Sequence, residues 1–353
     1  MGFDINEEHK IRITLSERAH AILLEDMDIF GINKLSTMIN TIFFNYKYDA
    51  KASINLYREQ RMLELNQLLS STSISAANRD TVISVMYEKE YKNIKNQIKH
   101  YDSLKGDNKL YHINMENIDY LTNECTEEEE YGYRPGKYLR AVIEEYCELP
   151  FIKRERIIKK DIYDKIENAC KNHNILKINI QHQDKSQLFY VYPYKIVSDP
   201  LSTRSYLVCY SKKAEDEDQS KVIASFSIAR LTMPTVLKGT FSLTKNQIAT
   251  IEQALINNSA AYLIGKAEQI KVRLTSKGKK TYRAKLTSRP QKIDSLSNDD
   301  IYVFNCSHQQ IYNYFFSFGS DAEIITPPEL RQKFINAHTS ALNQYNNTHS
   351  NNG

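Results

Sequence analysis

Apolar and polar residues alternate near the start of the chain, from residue 10 to 15, and this pattern predicts a β-strand. The apolar positions are Ile11, Ile13 and Leu15, and the polar positions are Lys10, Arg12 and Thr14. Ser16 is placed to cap a following helix that ends at Gly31, and Asn33 is placed to cap a second helix. One strand and two helices are too few to bury a core, so this segment needs a partner.

The same order of patterns recurs from residue 109. In the second predicted strand, one side carries Tyr111, Ile113 and Met115 and the other carries Leu110, His112 and Asn114. A helix, four glutamates at 127–130 and a helix that starts near Pro135 follow. We expect the two strands to pair antiparallel and the two halves to share one core.

Two helices are predicted between these halves, separated by a Ser/Thr-rich break at 70–75. The second helix carries an apolar seam at alternating spacings of four and three, formed by Tyr87, Tyr91, Ile94, Ile98 and Tyr101. Such a seam is typical of a packing surface. We therefore predict a first domain at 1–158 with a helical insertion at about 50–108.

The character of the chain changes to strand after residue 175. Short strands are predicted at 176–180, 188–197, 206–210 and 222–228, and their close spacing favours a small barrel within a domain at 159–244. A helix and a βαββαβ-like order then predict a ferredoxin-like domain at 245–345. The last residues, 346–353, are expected to be a disordered tail. The predicted fold class is α+β.

Composition limits the functions that this chain can have. The net charge is +4 over 353 residues, so any nucleic-acid surface must come from local clusters of charge. The five cysteines are scattered and odd in number, which favours reduced thiols and gives no zinc-site spacing. No apolar run reaches the roughly 18 residues that span a bilayer, and the start of the chain is polar, so we expect a cytoplasmic protein.

A one-sided run of positive charge lies between residues 266 and 292, opposed along the sequence only by Glu268. We expect it to form a C-terminal basic patch that contains Lys271, Arg273, Lys277, Lys280, Arg283 and Lys285. Contact with nucleic acid and a plain solvated face are both open interpretations. The aromatic cluster at 311–318 exceeds one helix face, so it predicts core packing or a homodimer interface in the C-terminal region.

Three short segments in the middle of the chain resemble the WYL-domain family. They are YVYPYK at 190–195, SYL at 205–207 and FSIARL at 226–231. Their order and spacing match the family over about 162–243, and SYL keeps two of the three residues that name it. The resemblance implies an Sm-like five-stranded barrel with a pocket for nucleic acid or nucleotides.

Carried over by position, the WYL pocket candidates are Tyr194, Lys195, Arg204, Tyr206 and Arg230. Arginine and lysine neutralise phosphate, and tyrosine can stack on an unpaired base. Tyr190, Ser227 and Ala229 depart from the family, which has charged residues at those positions. The pocket is therefore less charged than is usual for the family, and a purely structural role is the alternative.

The first strand and its two helices resemble the ribbon-helix-helix family of DNA-binding proteins. That resemblance implies that Lys10, Arg12 and Thr14 face base edges in the major groove. Asn33 and Lys34, at the start of the second helix, would hold a phosphate. The alternative is a dimerisation fold without DNA contact, because the second copy has a less suitable outward face.

No sequence pattern pairs a nucleophile with a base, and we expect neither enzymatic activity, nor a cofactor, nor a metal site. The combination of modules resembles the WYL accessory proteins that are encoded beside type VI-D CRISPR effectors. This implies a regulator that binds single-stranded RNA, or single-stranded DNA, and stimulates an RNA-guided RNase. The alternatives are a DNA-binding transcriptional regulator with a ligand-sensing WYL domain, which would contact duplex DNA, and an interaction scaffold without affinity for nucleic acid.

Overall fold

The computed structural model of the chain describes residues 9–50, 55–123, 135–182, 185–199, 204–215, 220–263 and 267–348. The chain divides into two compact units, Met1–Lys160 and Asp161–Gly353. Helices and antiparallel sheets occur in both, so the predicted α+β class is confirmed. No helix among the described residues is both long enough and apolar enough to cross a membrane.

The first unit is organised by a two-stranded ribbon. Strand β1 (Lys10–Ser16) pairs antiparallel with β2 (Gly106–His112), as the repeated pattern predicts. The helices around it are α1 (Glu17–Phe30), α2 (Leu35–Tyr46), α5 (Met115–Asn123), α6 (Pro135–Glu148) and α7 (Phe151–Ile158). Ile11, Ile13 and Leu15 of β1 and Tyr111 of β2 are buried, with Ile11 opposite Tyr111. Helix α6 lies at the centre of the shared core, because almost every residue along it is buried.

Local hydrogen bonds explain where the helices of this unit begin. The Ser16 hydroxyl accepts a hydrogen bond from the Ala19 backbone N–H at 3.1 Å, which caps α1 as predicted. Gly31 ends α1 with a φ of 70°, a conformation that glycine adopts without strain. The predicted cap at Asn33 is wrong, because Lys34 occupies the cap position of α2 and makes no side-chain capping bond.

The helical insertion between the two halves consists of α3 (Asn55–Ser70) and α4 (Ala76–Ser103). Ile98 and Tyr101 of the predicted seam are buried, and the Tyr101 hydroxyl donates a hydrogen bond to Glu148 at 2.9 Å. This end of the seam is a packing surface, as expected. The other seam side chains and the acidic loop predicted at 127–130 lie outside the described residues. Met115 is half exposed at the start of α5, so its predicted inward position is wrong.

The second unit contains a five-stranded antiparallel sheet in the order β6-β5-β4-β3-β7. Its strands are β3 (Asn174–His182), β4 (Lys185–Asp199), β5 (Arg204–Lys213), β6 (Val222–Ser227) and β7 (Thr235–Thr240). Helix α8 (Lys160–Asn172) supplies apolar residues to the core on one face, and α9 (Lys245–Asn257) to the core on the other. The predicted barrel is not closed among the described residues, because β6 and β7 are opposite edges of the sheet. Because helices pack on both faces of the sheet, its apolar side chains are buried without closure into a barrel.

A second sheet follows, in the order β10-β8-β9, with all neighbours antiparallel. Its elements are β8 (Glu268–Leu274), α10 (Ser276–Ala284), β9 (Ile301–Cys306), α11 (His308–Phe315), β10 (Ala322–Thr326) and α12 (Pro328–Thr348). The predicted βαββαβ order has four strands, but the described sheet has three and a single bridge between Lys292 and Phe304. Helix α12 continues to Thr348, so the predicted tail begins later than residue 346, and 349–353 lie outside the described residues.

Candidate ligand-binding site

An irregularity in β4 brings two neighbouring residues to the same face of the five-stranded sheet. Pro193 pairs with Cys209 and Lys195 pairs with Val208, so Tyr194 is an extra residue in the strand. Such a bulge breaks the alternation that would otherwise send adjacent side chains to opposite faces. Tyr194 packs in the core on the α9 side, and Lys195 lies opposite Val208, which belongs to that same core.

Both side chains reach Glu252 on α9. The Tyr194 hydroxyl donates a hydrogen bond to Oε1 of Glu252 at 2.6 Å, and Nζ of Lys195 donates to the same oxygen at 2.7 Å. These bonds, first that from Lys195 and then that from Tyr194, lower the pKa of the Glu252 carboxyl. The same bond to the carboxylate raises the pKa of Tyr194. The result is an ionised carboxylate held in one position at the sheet surface.

A cavity of about 450 Å³ opens beside this cluster. Its walls come from β4, from α9 and the turn that follows it, and from the segment 286–291 after α10. The lining residues are Lys195, Val197, Ser198, Glu252, Leu255, Ile256, Asn258, Ser259, Ala260, Leu286, Ser288, Arg289 and Gln291. The volume lies within the range of pockets that hold small ligands such as a nucleotide.

The polar groups of the cavity comprise cations and hydrogen-bond acceptors. Arg289 is exposed, and its guanidinium lies 5.5 Å from the centre of the Tyr282 ring. Asn258 is only 8% exposed, and within the described residues its Oδ1 has no hydrogen-bond partner, although its Nδ2 donates to the Ala254 carbonyl. A buried acceptor without a donor is costly, and this oxygen is itself buried in the wall of the cavity.

The other predicted WYL pocket residues lie on elements around this cavity without lining it. Tyr206 is buried on β5 opposite Val197, which is a wall residue of the cavity. Arg204 begins β5, and Arg230 is exposed at the end of the 3-10 turn after β6. The structure therefore brings Tyr194 and Lys195 together, while the shared pocket with Arg204, Tyr206 and Arg230 stays a prediction.

Three residues of this site were not singled out as pocket candidates from the sequence. Glu252 lies 57 residues from Lys195, and no pattern connects the two positions. It is the one acidic residue of α9, which is a weak signal at best. No sequence pattern pointed to Asn258 as a site residue. Arg289 belonged to the predicted basic run, but nothing in the sequence linked that run to β4.

The C-terminal basic patch is partly neutralised by acidic residues from distant segments. Arg273 pairs with Glu323 at 2.6 Å, and Lys277 pairs with Asp321 at 3.2 Å. Glu268 is the acidic residue within the run along the sequence, but folding brings further acidic residues from β10 and the turn before it against β8 and α10. A hydrogen bond from Arg331 and the charge of Arg273 lower the pKa of Glu323.

The other residues of the C-terminal basic patch differ in whether an external anion can reach them. Lys285 is half-buried, and its Nζ donates hydrogen bonds to the Tyr314 carbonyl and to the Ser317 hydroxyl. Lys271, Lys280 and Arg283 are exposed, and within the described part of the chain they have no ion-pair partner. These three cations are the part of the predicted patch that can meet an external anion.

The outward face of the β1–β2 ribbon carries the predicted DNA-contact residues of β1. Arg12 is exposed there, with Lys10 and Thr14 partly exposed on either side of it. Arg12 lies opposite Leu110, an apolar residue that is also exposed. Asn33 and Lys34 are exposed just before α2. The ribbon therefore presents its predicted residues, but the second strand adds an apolar centre to the face.

Comparisons with known proteins agree with the WYL resemblance. The family model of the WCX domain, a WYL-associated domain, matches residues 266–342. A crystal structure described as that of a CRISPR Cas-related protein matches 96% of this chain and 94% of its own, at 19% identity and a TM-score of 0.73. This likeness is one of fold along nearly the whole chain.

A weaker structural match is the proteasome accessory factor B/C (PafBC) of Arthrobacter aurescens. It has a TM-score of 0.21 and 16% identity over 50% of this chain and 26% of that one. No curated protein sequence matches the chain. The WCX match supports the WYL resemblance at the C-terminal end of the chain, and the weaker structural match adds nothing to it.

Proposed function

We propose that this WYL-type protein with a C-terminal WCX domain is a non-enzymatic, cytoplasmic regulator that binds single-stranded nucleic acid, with RNA favoured, and modulates a CRISPR RNA-guided RNase of type VI-D. The regulatory context is supported by the likeness of fold to a protein described as CRISPR Cas-related. The binding activity is supported by the chemistry of the cavity and of the surface near it.

The observation that carries the proposal is that the cavity receives one cation from each side. Lys195 comes from the five-stranded sheet, and Arg289 comes from the segment matched by the WCX family. A phosphate can be held by such a pair, while the acceptors and apolar walls suit a sugar and a base. The volume of about 450 Å³ accommodates one nucleotide of a strand.

The exposed cations Lys271, Lys280 and Arg283 support contact with the rest of a strand. Cations on a surface attract the phosphate backbone without regard to sequence, and binding of this kind weakens with salt. We propose that the cavity selects what is bound, and that these residues contribute affinity.

Binding can be tested by fluorescence anisotropy with a labelled, unstructured RNA. The double variant Lys195→Ala with Arg289→Ala should weaken binding at least about tenfold, since it removes both cations of the cavity. Lys99→Ala removes an exposed lysine of α4 in the first unit and should leave the affinity unchanged. Equal affinities for the wild type and the double variant would contradict the cavity as the binding site.

The WYL pocket candidates outside the cavity need their own test. Arg230→Ala with Tyr206→Ala should also weaken RNA binding about tenfold or more if the whole pocket acts as one site. Because Tyr206 is buried, circular dichroism must first establish that the variant folds. Weaker binding in this variant alone, with no effect of Lys195 and Arg289, would place the site at β5 and β6 instead.

Modulation of the effector is measured by adding the protein to a type VI-D RNase with its guide and a target RNA. Cleavage should become faster in the presence of the wild type, and the double cavity variant should lose this stimulation. An unchanged rate, with RNA binding intact, would remove the proposed context and leave only the binding activity.

A DNA-binding transcriptional regulator is the second candidate. We propose that the first unit is a tandem ribbon-helix-helix pair within one chain, because β1, α1 and α2 and β2, α5 and α6 repeat one order around an antiparallel ribbon. A preferred duplex should then outcompete random duplex, and Arg12→Ala should abolish the preference. The absence of any preferred duplex would exclude this function.

We further propose that the protein forms a homodimer through its C-terminal region. Ile335, Leu342 and Tyr345 are exposed on α12, and large apolar side chains on one helix favour burial against a second copy. Light scattering should give twice the mass of the chain. Leu342→Glu should give the single mass, and a wild-type monomer at micromolar concentration would contradict the dimer.

A further inference from the structure

Among the described residues, only one oxygen of the Glu252 carboxylate accepts hydrogen bonds. Oε1 accepts hydrogen bonds from Tyr194 and Lys195, whereas Oε2 accepts none from the described residues. The side chain is 41% exposed and stands in the wall of the cavity. A free oxygen of a fixed carboxylate is therefore available to a donor group on a ligand.

The position of this carboxylate is unexpected in a site for phosphate. A negative charge repels phosphate, and a lysine that is already paired attracts it less strongly than a free lysine would. The carboxylate also stays ionised, because its two donors lower its pKa. An ionised, immobile acceptor is suited to a hydroxyl donor, and acidic side chains hold ribose hydroxyls in nucleotide-binding proteins of other folds.

A second observation points to the same kind of ligand. Oδ1 of Asn258, in the wall of the same cavity, accepts no hydrogen bond from the described residues, although the residue is only 8% exposed. The cavity thus offers one free acceptor, at Glu252, beside a buried acceptor in its wall, at Asn258, and one cation without an acidic partner in the described residues, Arg289. A ribonucleotide has matching groups, namely sugar hydroxyls, amino or imino groups of the base, and phosphate.

We infer that Glu252 accepts a hydrogen bond from the 2′-hydroxyl of a ribonucleotide in the cavity, and that this contact makes the site prefer RNA over DNA. The inference rests on the proposed binding of nucleic acid and deepens it by naming the residue that sets the sugar preference. The 2′-hydroxyl is the group that distinguishes the two sugars. Tyr194 and Lys195 position the carboxylate, and Arg289 holds the phosphate together with the N–H donors of Lys195 that Glu252 does not use.

The alternative role for Glu252 is that of an internal anion which occupies Lys195 and competes with phosphate. The two roles predict opposite effects of its removal. A sugar-reading carboxylate contributes affinity for RNA alone, so its loss lowers the affinity for RNA and spares that for DNA. A competing anion lowers affinity for both, so its loss raises both by the same factor.

The test compares oligonucleotides of one sequence, as RNA, as DNA with deoxyuridine in place of uridine, and as 2′-O-methyl RNA. We expect the full-length wild type to bind RNA about tenfold more tightly than DNA, the size of effect given by one hydrogen bond to a charged group. It should bind 2′-O-methyl RNA like DNA, because the methyl group removes the donor. Glu252→Ala should bind RNA and DNA with equal affinity, near that of the wild type for DNA.

Two further variants control for shape and charge. Glu252→Gln keeps an acceptor oxygen and should retain part of the preference for RNA. Glu329→Ala removes an exposed glutamate at the start of α12 and should leave the ratio of affinities as in the wild type.

Equal binding of RNA and DNA by the wild type would overturn the inference and the preference for RNA, and would leave the proposed binding of single-stranded nucleic acid standing. A rise of both affinities in Glu252→Ala would also overturn it, in favour of the competing anion. If the wild type binds neither nucleic acid, the proposed function itself fails.

Discussion

Asp26 of α1 is completely buried in the first unit and is bound on both carboxylate oxygens. Its Oδ2 accepts hydrogen bonds from the Tyr146 hydroxyl and from Nε of Arg154, both at 2.7 Å. Its Oδ1 accepts from Nη2 of Arg154 at 3.1 Å. These hydrogen bonds join α1 to α6 and α7. Burial of Tyr146 and the nearby carboxylate of Asp26 raise the pKa of the Tyr146 hydroxyl.

The variant Asp26→Ala should lower the free energy of unfolding by about 3–5 kcal/mol, because it leaves the largely buried guanidinium of Arg154 without its partner. Urea unfolding followed by circular dichroism measures this. Lys109→Ala breaks the exposed pair with Asp107 and should cost less than about 1 kcal/mol. Losses of equal size in the two variants would show that burial does not govern these pairs.

At the scale of elements, local patterns predicted the ribbon strands and their helices well. The alternation at 10–15 and the cap at Ser16 depend only on residues close in sequence, and the structure contains both the predicted strand and the predicted cap. Interactions that depend on distant residues could not be predicted. Sequence periodicity does not reveal the bulge at Tyr194. The ion pair between Arg273 and Glu323 could not be predicted either, because the two residues lie 50 positions apart in the sequence.

The candidate site was predictable only in part for the same reason. Tyr194 and Lys195 were found because a family motif contains them, whereas Glu252 and Asn258 belong to α9 and its end, outside any motif. The open sheet also depended on α8 and α9 packing on both faces, which strand spacing alone does not reveal.

Gly136 in α6 gives a prediction about how this helix packs on β1. A Cβ atom at this position would lie 2.7 Å from the carbonyl oxygen of Arg12. Gly136→Ala should therefore destabilise the protein by about 1–3 kcal/mol, although alanine is normally the better helix former. Asn66→Ala, at an exposed position of α3, should be neutral or slightly stabilising. A more stable Gly136→Ala variant would mean that α6 can move away from the ribbon.

Glu323 gives a prediction about pH, since it ties β10 to β8 and to α12 through Arg273 and Arg331. Its pKa is lowered in the folded protein from an ordinary value of 4.5. The stabilisation is therefore fully present above that value and is lost as the pH falls through the lower, folded pKa.

Thermal unfolding between pH 6 and pH 3 measures this effect. The wild type should lose more stability over that range than Glu323→Gln, by less than about 1 kcal/mol because the group is largely exposed. The same loss of stability with falling pH in both proteins would contradict a contribution of the Glu323 carboxyl group to the pH dependence.

At the scale of the whole molecule, a net charge of +4 gives little long-range attraction for RNA. Binding should therefore depend on the few cations that contact the strand. For a single strand, the logarithm of the affinity should fall with the logarithm of the salt concentration by about 0.7 for each phosphate contact. We expect a slope of about −2 to −4 from the cavity and the exposed patch residues.

Titrations of unstructured RNA at several KCl concentrations test this distribution of charge. Lys280→Ala should reduce the slope by about 0.7, since this lysine has no acidic partner in the described residues. Lys277→Ala should have a smaller effect, because Asp321 already neutralises that lysine. A larger effect of Lys277 would indicate that the ion pair opens when RNA binds.

The two strands of the ribbon belong to one chain, and this has a consequence for any duplex that it contacts. A ribbon made by two identical chains has twofold symmetry, so it reads sites that are palindromes. Here Lys10, Arg12 and Thr14 on one strand face His112, Leu110 and Asn108 on the other. The two sides are unlike, so a site for this ribbon need not be a palindrome. Formation of the ribbon is also intramolecular, and dilution does not separate its strands.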